Sequence, residues 1–265
     1  MPLFSISVFL FVFILSFFSG FIFNIDAYTL DASSILLPPS FEHIFGTDRL
    51  GRDIFARIVY GGQTSLIIGF ASAFVTTVIG FLFGSMAGFF RGFVDKSFIV
   101  IVDLFLTFPT FFLLLTLVSY VNASTILLIF IISITGWMGV ARLIRSESFK
   151  IFLAPYIKIL NIAKVSKTKI LFKYYAPLLA PIFLVSFTFS VAGAILAESG
   201  LSFLGLGVVP PQISWGTMLN DGKSVIQIAW WVSFFPGLMI FLVTYSLINI
   251  SNYIQQKLNQ KSIEV

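Results

Sequence analysis

Side chains able to do chemistry are scarce in this chain, so each can be weighed in turn. Two acids, Asp103 and Glu198, stand inside or beside long apolar runs, and the one histidine is His43. With no cysteine there is neither a disulfide nor a thiolate metal site, and one histidine makes no histidine-rich site, so no metal site is expected. An acid at membrane depth can relay protons, carry a functional charge or sit in a structural ion pair. Asp103 stands about 10 Å into its apolar run by helical rise, close enough to the inner surface to pair with a basic residue. Glu198 stands at the outer end of another. Two shallow acids make a poor proton relay. No G-x-x-x-x-G-K-[ST], H-E-x-x-H or G-x-S-x-G occurs, so no nucleotide cradle, zinc protease or serine hydrolase signature is present. "GLGVVP" lacks the strand and helix of a dinucleotide fingerprint. No catalytic residue stands out, and an enzyme is not expected.

A denser set of charges lies in "FGTDRLGRDIFARIVYGGQTSLIIGF", residues 45–70. On a helical wheel Leu50, Ile54, Phe55, Ile58 and Val59 share one half. Arg52, Asp53, Ala56 and Arg57 share the other, with Asp53 and Arg57 spaced to pair at i,i+4. That pattern predicts an amphipathic helix lying flat at the membrane–water interface. Gly61 and Gly62 would then let the chain turn into the membrane.

These residues must be held by very apolar elements. Of 265 residues 58% are hydrophobic and 10% charged, and mean hydropathy is +1.03. A soluble domain carries about a quarter of its residues as charges, so lipid is the expected solvent and the chain an all-α integral membrane protein. Runs of roughly 20 apolar residues predict six transmembrane helices, at 3–23, 64–90, 97–119, 124–143, 178–197 and 230–251. The first lacks a basic leader and an A-x-A site, so it is read as an uncleaved span. One transmembrane domain, 63–252, follows an N-terminal region, 1–62, and precedes a tail, 253–265.

Basic residues set the orientation. With the N-terminus inside, the inner side holds Arg91, Lys96, Arg142, Arg145, Lys150, Lys158, Lys164, Lys167, Lys169, Lys173, Lys257 and Lys261, twelve in all, against four outside: Arg49, Arg52, Arg57 and Lys223. Both termini are therefore expected in the cytoplasm. The pI of 9.5 is then topological, and no nucleic-acid partner is implied.

The longest inner connection, 144–177, reads as two short amphipathic helices. Pro155 opens the first, with Tyr156, Ile159, Leu160 and Ala163 on one face and Lys158, Asn161 and Lys164 on the other. Ser166 caps the second, which carries Lys167, Lys169 and Lys173. Such a loop offers a face to something cytosolic. The outer segment after 197 holds Gly200, Gly205, Gly207, Pro210, Pro211 and Gly216, which forbid one regular helix. Its interleaved Leu, Phe and Trp predict that it folds back onto the protein.

Five segments in order then carry a resemblance: "HIFGTDRLGRDIFARIVYGGQTSL" (43–66), "RGFVDKSFIVIVDLFLTFPTFFLLL" (91–115), "GWMGVARLIRSESF" (136–149), "ESGLSFLGLGVVPPQISWGTML" (198–219) and "FFPGLMIFL" (234–242). Together they resemble the C-type permease subunits of dipeptide, oligopeptide and nickel ABC importers. The resemblance implies a type I ABC importer transmembrane fold in a bacterial-type inner membrane, with transport by alternating access. It implies four kinds of company: a second permease subunit, two ATP-binding cassette subunits carrying ATP and Mg, an extracytoplasmic substrate-binding protein, and the bilayer. It also implies that the 144–177 loop couples to the ATPase. There the chain departs from the family pattern E-A-A, glycine, Arg-His: Lys158, Ile159 and Leu160 take the first positions, Lys164 the glycine's, and Lys173-Tyr174 the pair's, while Pro177 is kept. Peptide is the expected substrate, nickel or a metal chelate the alternative. An autonomous secondary transporter and a membrane-embedded enzyme are the readings from other classes.

Overall fold

The computed structural model describes residues 2–22, 26–121 and 124–263. The expected end of the first span at 23, the start of the outer segment, and residues 264–265 of the tail lie outside them. Among the described residues every regular element is helical: α1 (Leu3–Ile22), α2 (Ile54–Phe90), α3 (Gly92–Leu106), α4 (Thr110–Ser119), α5 (Thr125–Leu153), α6 (Pro155–Ile162), α7 (Lys167–Phe203), α8 (Trp215–Lys223) and α9 (Trp231–Ile263).

Four of these, α2, α5, α7 and α9, are long and apolar enough to cross a membrane, and α3 with α4 would make a fifth span bent by 75°. The bend corrects the single span expected over 97–119. Pro109 supplies no N–H and pushes Phe108 out of helical conformation. The ladder stops at Thr107 and restarts from the Pro109 carbonyl, which accepts from Phe112 N–H at 3.0 Å.

A second correction concerns the elbow expected at Gly61-Gly62. The chain does not turn there: α2 runs unbroken for 37 residues, about 55 Å at 1.5 Å per residue. That exceeds the roughly 30 Å hydrocarbon core, so one helix serves both as span and as a post extending beyond it. The two glycines fit close neighbours instead. A Cβ on Gly61 would come within 3.2 Å of the Ser214 carbonyl carbon, and one on Gly62 within 3.0 Å of the Trp215 ring.

The central pair is α2 against α5, the most extensive helix contact among the described residues. Gly80, Gly84 and Gly88 recur every four residues and so share one face of α2. A methyl on Gly80 would lie 2.8 Å from the Val140 side chain, and those on Gly84 and Gly88 would collide with the Ala141 carbonyl and with Ser148. In lipid, close backbone approach and interhelical hydrogen bonds replace the hydrophobic drive between helices. Both are present: Ser133 Oγ donates to the Ser72 carbonyl and Ser148 Oγ to that of Ser85, each at 3.2 Å. On the other flank, α7 packs on α2 and α9, where Ser251 Oγ reaches the Val185 carbonyl at 2.9 Å.

At one end of the bundle, α2 turns into α3 through the single residue Arg91, left-handed at φ +57°. Its guanidinium lies over the rings of Phe149 and Phe152. The same end carries α6 and the start of α7, through a cluster of Phe89, Ile144, Ile157, Ile170, Tyr175 and Leu179. The second short helix expected after Ser166 is not separate. It continues through a π turn at Ile170–Tyr175 into the next long helix.

Candidate functional site

Two regions at opposite ends of the bundle gather the polar residues. At the end opposite Arg91, residues 26–53 wrap over the start of α2 and against α8. Asp48 is the hub. Its Oδ1 accepts from the amides of Leu50 (2.8 Å) and Arg52 (3.0 Å), and its Oδ2 from Arg52 Nε at 2.7 Å and from the Arg57 guanidinium. Gly51, at φ +73°, closes this turn and sits so near Asp31 that no side chain fits. Arg57 then reaches across with Nη2 to Asp221 on α8 at 3.0 Å. Burial tends to raise the Asp48 carboxyl. The Arg57 charge, the Leu50 amide, Arg52 and its amide outweigh it, so the pKa lies below the ordinary 3.8.

The amphipathic pattern read over 50–59 is therefore corrected. Ile54, Ile58 and Val59 are buried as expected, yet Ala56 and Arg57 are buried too, and Leu50 is exposed in the turn before the helix. Arg57 pairs with Asp48 and Asp221 and not with Asp53. Asp53 instead caps the helix, accepting from Ala56 N–H at 2.8 Å, and meets His43 Nδ1 at 2.9 Å. A wheel sees only the helix, whereas here a folded-back loop supplies a polar partner to the face it assigned to water.

Beneath this cap lies Glu198, fully buried near the end of α7. Neither a structural ion pair nor an open charge describes it: among the described residues no cation touches it. Its Oε1 accepts from Ser202 Oγ at 2.7 Å, and its Oε2 from Ser65 Oγ at 3.1 Å and Ser199 Oγ at 3.4 Å. Those hydroxyls in turn accept backbone donors, Val208 N–H to Ser202 at 3.1 Å and Trp215 N–H to Ser65 at 3.1 Å. One carboxylate thus ties α2, α7, the 204–214 segment and α8 together. Gly216 packs on it so tightly that a Cβ would stand 2.6 Å from that of Ser202. The expectation that this segment folds back is met, with Trp215 fully buried and its ring N–H on the Ile58 carbonyl at 3.0 Å.

Between the cap, the 205–213 segment and the end of α4 opens a cavity of about 1120 Å³, reached by Arg49, Arg52, Arg57, Asp221 and Asn220. That is slightly above the roughly 300–1,000 Å³ typical of small-molecule sites. Its wall is mixed, with Arg49, Arg52 and Arg57 and the apolar Leu206, Val208 and Val209 among its lining residues.

Asp103, the other candidate acid, is half-exposed on α3 and pairs with Arg142 of α5. A second pair, Asp95 with Arg145, bridges the same helices nearer the Arg91 end. Both arginines were assigned to an inner connection. They lie within α5, because that helix runs on to Leu153.

At the Arg91 end stands the second region. Ala154, extended before Pro155, ends α5 and starts α6. Ile157, fully buried, holds α6 to the bundle, and Leu160 packs beside it. Tyr156, Ile159, Ala163 and all the lysines point outward, so the face read as apolar is mostly the exposed one. Partial burial of the otherwise exposed Tyr156 raises its hydroxyl above the ordinary pKa of 10. Lys164 ends α6 in the left-handed region, φ +52°, while Val165 N–H reaches back to the Leu160 carbonyl at 3.1 Å. This is the six-to-one bond of a Schellman end, with lysine where glycine is usual. Ser166 Oγ accepts from Lys169 N–H at 3.4 Å.

Sequence comparison decides what these two ends belong to. Residues 80–262 match the model of the family described as binding-protein-dependent transport system inner membrane component. The chain belongs to this family. It is accordingly a multi-pass protein of the inner membrane. It is 34% identical over 226 residues to the dipeptide transport system permease protein DppC of Bacillus subtilis, covering 85% of this chain and 71% of that one. To the oligopeptide transport system permease protein OppC of Mycobacterium bovis it is 33% identical over 216 residues, 81% of this chain and 74% of that one. With OppC of Haemophilus influenzae it shares 31% over 219 residues, 83% and 70%.

Proposed function

We propose that this chain is the permease subunit of an ATP-driven importer of peptides, forming half of the pathway and moving substrate by alternating access. One observation carries the reading: the similarity, over four fifths or more of the chain, to relatives named for dipeptide and oligopeptide transport. The bent α3–α4 pair taken as one span, with α1 and the four long helices, gives six crossings and leaves both termini in the cytoplasm. The cap and its cavity then face outward, where a substrate-binding protein delivers cargo. The α6 region faces inward, where ATP-binding cassette subunits carry ATP and Mg and the loop between Ala154 and Ser166 transmits their motion. A second permease subunit completes the pathway. The apolar α3–α4 face supports this, since Phe105, Phe108 and Phe112 stand exposed along it.

The test is reconstitution in liposomes with the partner subunits. Labelled dipeptide is expected to accumulate only with ATP and the binding protein, and peptide should stimulate ATP hydrolysis. Uptake by the chain alone under an ion gradient would overturn the reading in favour of a secondary transporter. Uptake of nickel in place of peptide would overturn the substrate.

A further inference from the structure

Among the described residues two ion pairs join α3 to α5, and they are built differently. Asp95 and Arg145 form the closed one. Both carboxylate oxygens accept, Oδ1 from Nε and Oδ2 from Nη2 at 2.8 Å, and the side chains are 15% and 23% exposed. Asp103 and Arg142 form the open one. A single bond joins Arg142 Nη2 to Asp103 Oδ1, and the side chains are 55% and 54% exposed. Asp103 Oδ2 and the other guanidinium donors of Arg142 have no partner at hydrogen-bond distance among the described residues. The closed pair is enough to fix α3 on α5, whereas the open pair uses only part of its bonding capacity. It also stands where charge is least welcome. Asp103 lies about 16 Å along α3 from Gly92, within the bent pair that would make the fifth span. Its neighbours Val100, Ile101, Leu104 and Phe105 are exposed apolar side chains. Charged groups at membrane depth face a bundle interior or a water-filled cavity, so the free side of this pair opens on the pathway and not on lipid. A cavity of about 340 Å³ lies against it, lined by Phe98, Ile99, Val102, Asp103, Arg142 and Arg145.

We propose that Asp103 and Arg142 form a transit subsite for the charged ends of a short peptide. The free edge of the Arg142 guanidinium takes the terminal carboxylate, and Asp103 Oδ2 takes the terminal ammonium. The inference deepens the proposed function and rests on its reading of this chain as a peptide permease. Three features match the chemistry. A guanidinium presents a planar fork of donors that fits a carboxylate at two points. The ends of a dipeptide lie at most about 7 Å apart along an extended backbone, so one molecule straddles a contact ion pair. Two positive and two negative charges sum to zero, so the peptide enters without leaving net charge at membrane depth. A free metal cation would instead meet one carboxylate beside a guanidinium that repels it. Phe98, Ile99 and Val102 offer no polar group to a peptide side chain, so selection here is for free ends and not for sequence.

The experiment uses the complete importer in liposomes and a labelled dipeptide in three forms: free, C-amidated and N-acetylated. Each form is supplied bound to saturation on the substrate-binding protein, and the readout is peptide carried per ATP hydrolysed. In the wild type, amidation and acetylation should each lower this ratio about tenfold, the scale of one hydrogen bond to a charged group. In Arg142→Gln the free dipeptide should fall to the level of the amidated one, and amidation should cost nothing further. Asp103→Asn should do the same for acetylation. Arg142→Lys, which keeps the charge, should retain most of the discrimination. A pair that only braces the helices would lower the ratio for all three forms by one common factor, and that result would overturn the proposal. So would a wild type that carries the three forms equally. Loss of the second permease from both Arg142→Gln and Arg142→Lys would assign the pair to the contact between permeases and overturn the subsite. Absence of ATP-dependent uptake of any form by the wild-type importer would instead overturn the peptide permease reading beneath it.

Discussion

Arg57 shows what a single residue can be asked to hold. It is 4% exposed and bridges Asp48 in the cap to Asp221 on α8. Breaking a buried ion pair from one side leaves an uncompensated charge, at a cost of about 3–5 kcal/mol. Arg57→Ala should therefore loosen the cap strongly, read as a lower unfolding temperature and as proteolysis within 26–53, while Arg49→Ala, exposed beside Ser224, should do little. Lys164 is a smaller and opposite case. A left-handed non-glycine residue costs about 1–2 kcal/mol, against about 0.5–1 kcal/mol of extra chain entropy for glycine. Lys164→Gly should then stabilise the protein by up to about 1 kcal/mol in a denaturation series, and a loss of more than that would mean the lysine side chain makes a contact the helix end needs.

For the helices, the α2–α5 seam makes the sharpest demand. Gly84→Leu would drive a side chain into the Ala141 backbone, with overpacking costs of about 1–3 kcal/mol or more. Gly139→Ala, with nothing near its added methyl, should be tolerated. Comparing yield and melting temperature of the two variants checks this, and equal effects would refute the close-packed seam. At the Arg91 end the same helices meet the loop between α5 and α7. Tyr175, fully buried, exchanges hydrogen bonds with the hydroxyl and carbonyl of Ser148, and Ser148 reaches the Ser85 carbonyl. This short chain links α7, α5 and α2 where, under the proposed function, ATPase motion would arrive. Tyr175→Phe keeps the packing against Phe89 and removes the hydroxyl. Peptide carried per ATP should fall while assembly persists, and an unchanged ratio would reduce Tyr175 to a packing residue.

For the whole molecule, orientation and pH response can both be read. In a chain without cysteine, Leu50→Cys should react with an impermeant maleimide in intact cells, and Lys158→Cys only after the membrane is opened. The reverse order would invert the topology. The cap formed by residues 26–53 adds an acid limit. Because the folded-state pKa of Asp48 lies below its ordinary 3.8, its contribution is complete above that value and is lost as pH falls through the lower folded one. Thermal stability in detergent should decline below about pH 4 as carboxylates bound in the native state are protonated. Trp231, whose ring N–H holds the Thr47 carbonyl, is a fluorescent witness, and Asp48→Asn should remove much of that decline.

Sequence alone determined the membrane class, the apolar character of the four long helices, the Pro155 start and Ser166 cap, and the family, because these depend on composition, local capping and ordered motifs. It left the outer stretch as an interfacial elbow, since helical periodicity counts only a residue's own helix. Tertiary structure decided that α2 continues through Gly61 and Gly62, because what those glycines meet, Ser214 and Trp215, lies some 150 residues away. It likewise decided that Arg57 is buried against Asp221 and that Glu198 is satisfied by three serines. A buried carboxylate or guanidinium must find its donors and acceptors in space, and where those come from distant segments, no local pattern can announce them.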